Sequence, residues 1–128
     1  MLVIDASALT ELIVGGPRAS AIGPVMEDDG DWRAPEHFMV EVVSALRGMW
    51  LGGHLSKEEF TAAVHQATRA DMSTYRIPGL IGRILELTPR ATAHDAAYVA
   101  LPETLDCPLV TLSGPVRSLT GVSCEFLP

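Results

Sequence analysis

The sequence has few cysteines and no long apolar run, and each shortage excludes a class of protein. Cys107 and Cys124 are the only cysteines among 128 residues, whereas small disulfide-stabilised domains use more. The apolar amino-terminal stretch is interrupted by Asp5 and Glu11. It therefore matches neither a secretory signal nor a membrane helix, which needs roughly 18 apolar residues. These absences predict a cytoplasmic protein with reduced thiols and no membrane partner.

Basic residues are scarce as well. Nine Lys and Arg stand against sixteen Asp and Glu, which gives a net charge of −7 at pH 7. This balance argues against the broad cationic surface that drives most nucleic-acid binding, so a nucleic-acid partner would need a local device such as a bound cation. With 48% apolar residues the chain can bury a core. Its length predicts a single domain over residues 1–128.

Several signatures of catalytic and metal sites are missing. The four histidines are His37, His54, His65 and His94, and they form no HExxH motif, while the cysteines form no CxxC motif. The chain also lacks a GxSxG nucleophile motif and glycine-rich phosphate loops. Zinc and nucleophilic serine or cysteine sites are therefore disfavoured, and the acidic residues are the remaining source of chemistry.

Short apolar strands alternate with helical patterns along the chain. The predicted strands are 2–4, 32–34, 72–77, 109–112 and 124–127, and the predicted helices are 7–14, 18–26, 36–51, 56–70, 79–87 and one from 92 onward. This alternation predicts a parallel sheet wrapped by helices and built from right-handed βαβ units.

Helix boundaries have clear local signals. Ser56 and Glu59 have the spacing of a capping box, and Thr92 is a second predicted cap. Pro35 stands where a helix can begin, whereas Pro102 falls inside the last long helix and should kink or shorten it.

Two acids lie at the ends of predicted elements, one at the end of a strand and one at the start of a helix. Asp5 directly follows the first strand, and open α/β sheets bind ligands beyond the carboxyl ends of their strands. The alternative is that Asp5 only caps the next helix. Asp95 lies in a first helical turn three residues after Thr92, where the helix dipole stabilises an acid without any ligand. For each of the two residues, a ligand-binding role and a purely local structural role both stay open.

Glu41 is the third acid, because it interrupts the apolar stretch 38–43. A carboxylate in such a position needs a partner, and a cation is one. Alternatively Glu41 pairs with His37 one turn earlier or faces solvent beside Arg47. If the three acids converge, they repel one another unless a hard dication is bound, and an all-oxygen set suits Mg²⁺ or Mn²⁺.

Five segments in one order carry a family resemblance: 2–9, 34–36, 41–47, 92–101 and 108–112. With these segments the chain resembles PIN-domain ribonucleases, and specifically the VapC toxins of bacterial toxin–antitoxin pairs. The resemblance implies a three-layer α/β/α sandwich with a central, mainly parallel sheet. It also implies a Mg²⁺-dependent endoribonuclease toxin that cleaves structured RNA, either tRNA or rRNA, and inhibits translation.

The same resemblance implies roles for individual residues. Asp5 and Asp95 would hold the metal, and Glu41 would ligate it or orient its water. The hydroxyls hydrogen-bonded around these ligands would be those of Ser7, Thr111 and Ser113.

Ser113 is a departure from the family pattern, because a fourth acid usually follows the strand that ends near residue 112. A hydroxyl is a much weaker Mg²⁺ ligand than a carboxylate, so a second metal ion is in question. Asp106 precedes the strand and is expected at the other end of the sheet. The alternative function is a weakened PIN-like module that binds antitoxin or RNA without efficient cleavage.

The resemblance also implies partners. These are RNA, a cognate VapB-like antitoxin, and a second copy of the chain in a homodimer that forms a heterotetramer or larger assembly with the antitoxin. The arginines predicted to contact RNA phosphates, with plain surface roles as the alternative, are Arg47, Arg90 and Arg117. The side chains predicted to line an antitoxin groove, with core packing as the alternative, are Met39, Met49 and Trp50.

Overall fold

Five parallel strands form the centre of the protein, whose computed structural model describes residues 1–128. The strands are β1 (Leu2–Ile4), β2 (Trp32–Pro35), β3 (Met72–Tyr75), β4 (Leu109–Val110) and β5 (Phe126–Leu127). Their order in the sheet is β3-β2-β1-β4-β5, and every pairing is parallel. The predicted parallel α/β architecture is confirmed.

Helices connect and cover the strands. They are α1 (Ala6–Val14), α2 (Ala19–Asp28), α3 (Phe38–Leu51), α4 (Lys57–Thr68), a 3₁₀ turn (Ile77–Leu80), α5 (Ile81–Leu87), α6 (Ala93–Leu105) and α7 (Gly114–Arg117). None of these helices combines the length and the apolar character that a membrane-spanning helix requires.

The sheet separates two apolar cores, which makes three layers. Leu2 and Ile4 face a cluster with α1 to α4, whereas Val3 faces a second cluster with α5, α6 and α7. The alternation of β1 between the two clusters follows from the two-residue period of a strand. Because β1 is buried on both faces and paired on both edges, the residue that follows it has a fixed position.

Local signals account for most helix boundaries. Ser56 accepts the backbone N–H of Glu59, and the Glu59 carboxylate accepts the backbone N–H of Ser56, so the predicted capping box is present. Thr92 accepts the N–H of Asp95 at 3.1 Å and starts α6.

Several boundaries differ from the sequence prediction: β3 ends at Tyr75 instead of residue 77, β5 begins at Phe126 instead of residue 124, and α5 begins at Ile81 instead of residue 79.

Three further differences have a physical reason in the structure. Pro35 ends β2, where it pairs with Tyr75, and the helix begins only at Phe38. Pro102 does not shorten α6, which continues to Leu105, because the proline lacks only one helical N–H and its ring is buried near the end of the helix. The fourth strand ends at Val110 because the next two residues bond to side chains around Asp5 instead of continuing the ladder.

Candidate active site at the carboxyl ends of the strands

Asp5 lies at the carboxyl end of β1 and is only 4% exposed. One carboxylate oxygen accepts the N–H of Ala8 at 3.0 Å and the hydroxyl of Ser7 at 2.5 Å. The other oxygen accepts the hydroxyl of Thr111. Asp5 therefore does cap α1, as the alternative reading required, but it also receives hydrogen bonds from two side chains that a cap does not need.

Two hydroxyls connect the Asp5 carboxylate to the backbone that follows β4. Ser7 Oγ accepts the backbone N–H of Leu112 at 3.0 Å, and Thr111 Oγ1 accepts the backbone N–H of Ser113 at 3.0 Å. Each hydroxyl oxygen therefore accepts a backbone N–H, and each hydroxyl donates its proton to Asp5. These two bonds fix the position of the hydroxyl and the direction in which its proton points.

Glu41 projects from the first turn of α3 and its side chain is 30% exposed. Its Oε1 lies 3.0 Å from Nε2 of His37. Both atoms are buried, and neither makes a hydrogen bond of acceptable direction. Burial and the neighbouring His94 lower the pKa of His37, so at neutral pH this contact is not an ion pair. The predicted His37–Glu41 proximity is present, but His37 supplies no positive charge to compensate that of Glu41.

The acids of the crevice influence one another electrostatically. Burial raises the pKa of Glu41, and the carboxylates of Asp95 and Asp5 raise it further, against the opposite influence of His94. Burial also raises the pKa of Asp5 despite the hydrogen bonds from Ser7 and Thr111. Repulsion among carboxylates is what a bound cation would relieve.

Asp95 is the third predicted acid and lies in the first turn of α6, partly exposed. Its charge acts on Glu41, so the two residues share the crevice. No three His, Cys, Asp or Glu side chains, however, lie close enough together in this structure to ligate one ion. The structure therefore gathers the three predicted acids in one electrostatic neighbourhood without arranging them as a closed set of ligands.

The residues present fit a hard cation by their chemistry. The available donors are carboxylate oxygens, and Oε1 of Glu41 is buried and unpaired, which is costly unless a cation or water satisfies it. Oδ1 of Asp5 already accepts two hydrogen bonds, whereas Oδ2 accepts only the one from Thr111 and keeps a second lone pair for a metal. Mg²⁺ keeps several waters when protein carboxylates bind it, so a partial set of side-chain ligands is sufficient.

Tyr98 is a residue that sequence reasoning did not single out. Its hydroxyl is buried beside the Glu41 carboxylate but makes no hydrogen bond of acceptable direction, and burial together with the charges of Glu41 and Asp5 raises its pKa. The signal in the sequence is a phenol one turn after Asp95, within an otherwise apolar run. Tyr98 also packs against the ring of His37 at 5.0 Å between centroids.

Ser113 and Asp106 have local structural roles. Ser113 Oγ accepts the N–H of Val116 at 3.4 Å and caps α7. Asp106 ends α6 in a left-handed conformation with φ of 52° and lies before β4, away from the carboxyl end of that strand.

The three arginines predicted to contact RNA differ in how firmly hydrogen bonds hold their guanidinium groups. Arg117 Nη1 donates to the carbonyls of Thr111 and Leu127, both at 2.9 Å, and its guanidinium lies 5.7 Å from the ring centre of Phe126. Arg90 donates to the carbonyl of Thr120 at 3.1 Å. Arg47 is exposed on α3 and makes no ion pair.

The three residues predicted to line an antitoxin groove are half-buried. Met39 and Met49 pack against the core cluster between the sheet and α1 to α4. Trp50 stacks on Phe60 at 5.1 Å, which joins α3 to α4. These contacts are the packing role that the sequence left as the alternative.

Comparisons with known proteins give the family. No family model matches the chain. Ribonuclease VapC12 of Mycobacterium tuberculosis is 31% identical over 126 residues, covering 98% of this chain and 97% of the relative. Ribonuclease VapC1 of the same organism is 30% identical over 125 residues, covering 97% and 94%.

Solved structures share the fold. PAE2754 from Pyrobaculum aerophilum superposes with a TM-score of 0.72 at 17% identity, covering 98% of this chain and 81% of that one. Mycobacterium tuberculosis VapC20, described as a Sarcin-Ricin loop cleaving toxin, superposes with a TM-score of 0.71 at 15% identity over the full length of both chains. The PIN-like α/β sandwich is thereby confirmed, and the identity to VapC12 over nearly the whole length shows that this chain belongs to the VapC family of ribonucleases.

Proposed function

We propose that the chain is a Mg²⁺-dependent endoribonuclease toxin, with Mn²⁺ able to replace Mg²⁺, and that Asp5, Glu41 and Asp95 hold the cation. The observation that carries the proposal is that Asp5, Glu41 and Asp95 share one crevice, where burial and the two aspartates raise the pKa of Glu41 against the influence of His94 and Tyr98. Oε1 of Glu41 is buried there without a well-directed hydrogen bond, and a cation or its water would satisfy it.

Each side chain has a separate task in this mechanism. Asp5 is held by Ser7 and Thr111, so it offers a preoriented oxygen at the carboxyl end of β1. Glu41 either ligates the cation or accepts a hydrogen bond from its water. When bound, the cation would polarise the scissile phosphate and lower the pKa of the attacking water. It would also offset the negative charge that otherwise repels RNA from this crevice.

The proposed substrate is structured RNA, either tRNA or rRNA, whose cleavage inhibits translation in the cytoplasm. The fold shared with VapC20, which is described as cleaving the Sarcin-Ricin loop, supports an RNA substrate of this class. Of the three arginines predicted to contact RNA phosphates, Arg47 is the one whose guanidinium is not bound to a backbone carbonyl. Arg90 and Arg117 would first have to release the carbonyls they bind.

The proposed partner is a VapB-like antitoxin that covers the crevice and neutralises the toxin. Membership of the VapC family supports this partner. A homodimer, assembled with antitoxin into a heterotetramer or larger complex, completes the proposal. The predicted antitoxin contacts of Met39, Met49 and Trp50 remain predictions.

The test is cleavage of purified tRNA and rRNA by the antitoxin-free protein with Mg²⁺, with EDTA, and with Asp5→Asn. Asparagine is an equally good helix cap but replaces one acceptor oxygen of Asp5 by an NH₂ group, so circular dichroism first checks that the variant is folded. The folded variant should lose cleavage by about 100-fold, as expected for loss of a group that stabilises charge in the transition state. The matched control is Asp28→Asn, an identical change at an exposed position at the end of α2, which should cleave normally. Cleavage that survives EDTA, or equal activity of both variants, would contradict the proposal.

A second candidate function is a weakened module that binds antitoxin or RNA without efficient turnover. Ser113 favours it, because its hydroxyl caps α7 at the position where the family has an acid. RNA binding by the wild-type protein without cleavage at any Mg²⁺ concentration would select this alternative.

A further inference from the structure

An apolar pocket of about 210 Å³ adjoins the crevice described above and has no part in the proposed metal chemistry. Its walls are the side chains of Ile77, Ile81 and Ile84 on one side and Ala97, His37 and His94 on the other. His37 belongs to both places, because its Nε2 lies 3.0 Å from Oε1 of Glu41. The pocket therefore begins where the carboxylate crevice ends.

We propose that this pocket receives the nucleobase next to the scissile phosphate. The inference rests on the proposed ribonuclease function and assigns the part of the substrate that the carboxylates do not touch. In a nucleotide a single sugar joins base and phosphate, so a phosphate held near Glu41 leaves its base within reach of His37 and the pocket behind it.

The lining of the pocket combines an aliphatic wall with two aromatic rings, a combination that can hold a planar base. The rings of His37 and His94 lie 5.4 Å apart at 70° to each other and present aromatic surface, and bases stack on such surfaces. The volume of the pocket is smaller than the ~300–1,000 Å³ of sites for drug-sized ligands. It is nevertheless large enough for one planar ring system. The two imidazoles are the only polar side chains in the wall.

Both signs of charge border the pocket. Glu36 accepts the backbone N–H of Ile77 at 3.1 Å, whereas Arg76 directly precedes Ile77, is exposed and makes no ion pair. Arg76 is therefore an unpaired cation next to Ile77 in the chain. Because the isoleucine wall offers no hydrogen bonds to base edges, selectivity should follow stacking strength, and purines should bind more tightly than pyrimidines.

The first experiment observes isoleucine methyl groups by NMR with Mg²⁺ present, so that the acids of the crevice do not repel the phosphate of the probes. The probes are adenosine monophosphate and ribose 5-phosphate, which share the phosphate and sugar but differ in the base. We expect upfield ring-current shifts for Ile81 and Ile84 with adenosine monophosphate alone, and none for Ile13, which lines a separate pocket beside Trp32. Equal shifts with both probes, or no shift with either, would overturn the inference. Shifts produced only by an apolar antitoxin peptide would overturn it too.

The second experiment uses two variants that carry the same new charge on α5. Ile81→Glu places a carboxylate at the pocket wall, whereas Leu85→Glu places one at a neighbouring position, 63% exposed, outside the pocket. Ile81→Glu should weaken binding of adenosine monophosphate about fivefold or more, the effect of losing one stacked base, and Leu85→Glu should leave it unchanged. Equal weakening by both variants would contradict a pocket-specific role.

A third variant pair separates stacking from folding. His94→Phe retains an aromatic face and should retain base binding, whereas His94→Ala should lose it. Base binding that persists in a protein unable to cleave RNA would refute the proposed function and leave the pocket assignment intact. Cleavage with normal Mg²⁺ dependence but no base binding would do the reverse.

Discussion

The hydroxyl of Thr111 donates to the carboxylate of Asp5 across 106 positions of sequence, and its oxygen accepts the backbone N–H of Ser113. This contact joins the carboxyl ends of β1 and β4, which are neighbouring strands of the sheet. It also explains why β4 is short, since Thr111 turns toward Asp5 instead of extending the ladder. One fully buried hydroxyl thus links the fold to the proposed metal site.

Replacing Thr111 with valine tests this link. Thr111→Val keeps the shape but leaves an Asp5 oxygen and the Ser113 N–H without their partner, so we expect a loss of about 1–3 kcal/mol in the free energy of unfolding. Thr111→Ser keeps the hydroxyl and loses one buried methyl, at a cost of about 1 kcal/mol. Denaturant unfolding of both variants measures the difference, and a valine variant more stable than the serine variant would count against the role of the hydroxyl.

Ser113 offers a gain-of-function test. Aspartate caps helices as well as serine does, so Ser113→Asp should leave the stability of α7 unchanged while adding a carboxylate beside Thr111. We expect tighter Mg²⁺ binding by calorimetry and faster RNA cleavage. Ser113→Asn, which also caps but carries no charge, is the matched control. An aspartate variant that behaves like the asparagine variant would show that the position does not reach the cation.

Glu103 makes a prediction about pH. Burial alone would raise the pKa of Glu103, but hydrogen bonds from Arg83 at 2.7 Å and from the Ser123 N–H at 2.9 Å hold the pKa below its ordinary value of 4.5. A lowered folded-state pKa stabilises the protein above the ordinary value, and this contribution disappears as the pH falls through the folded-state value.

The Glu103→Gln variant should therefore lose roughly 1–2 kcal/mol at pH 7 and progressively less as the pH is lowered below 4.5. Glu86→Gln removes the other acid that Arg83 contacts, and because Glu86 is 67% exposed this control should cost little. Thermal unfolding over a pH series gives both curves. A Glu103→Gln effect that is constant with pH would contradict the ionic origin of the stabilisation.

The sequence predicted elements whose signals are local. The capping box at Ser56 and the cap at Thr92 appear because each depends on residues three positions apart. The location of Asp5 could be predicted without knowing the order of the strands. Asp5 follows a strand that is buried on both faces, so it must lie at the carboxyl edge of a parallel sheet.

Other features depend on how helices rotate and pack, which local patterns do not determine. His37 appeared only as one alternative partner of Glu41, and its contacts with Tyr98 and His94 depend on the first turns of α3 and α6 approaching each other at the carboxyl edge of the sheet. Tyr98 was not predicted because an aromatic residue in a buried run normally indicates core packing. The same limit applies to Pro102, whose effect depends on how close it lies to the end of α6.

Electron density for a bound ion is the most direct test of the central claim that Asp5, Glu41 and Asp95 share one divalent cation. Crystals of the antitoxin-free protein grown in excess Mn²⁺ should show an anomalous peak contacting carboxylate oxygens of these three residues, directly or through water, and Glu41→Gln crystals should show it weakened or absent. A map with no peak in the crevice, or with Glu41 hydrogen-bonded only to His37 and Tyr98, would contradict the account.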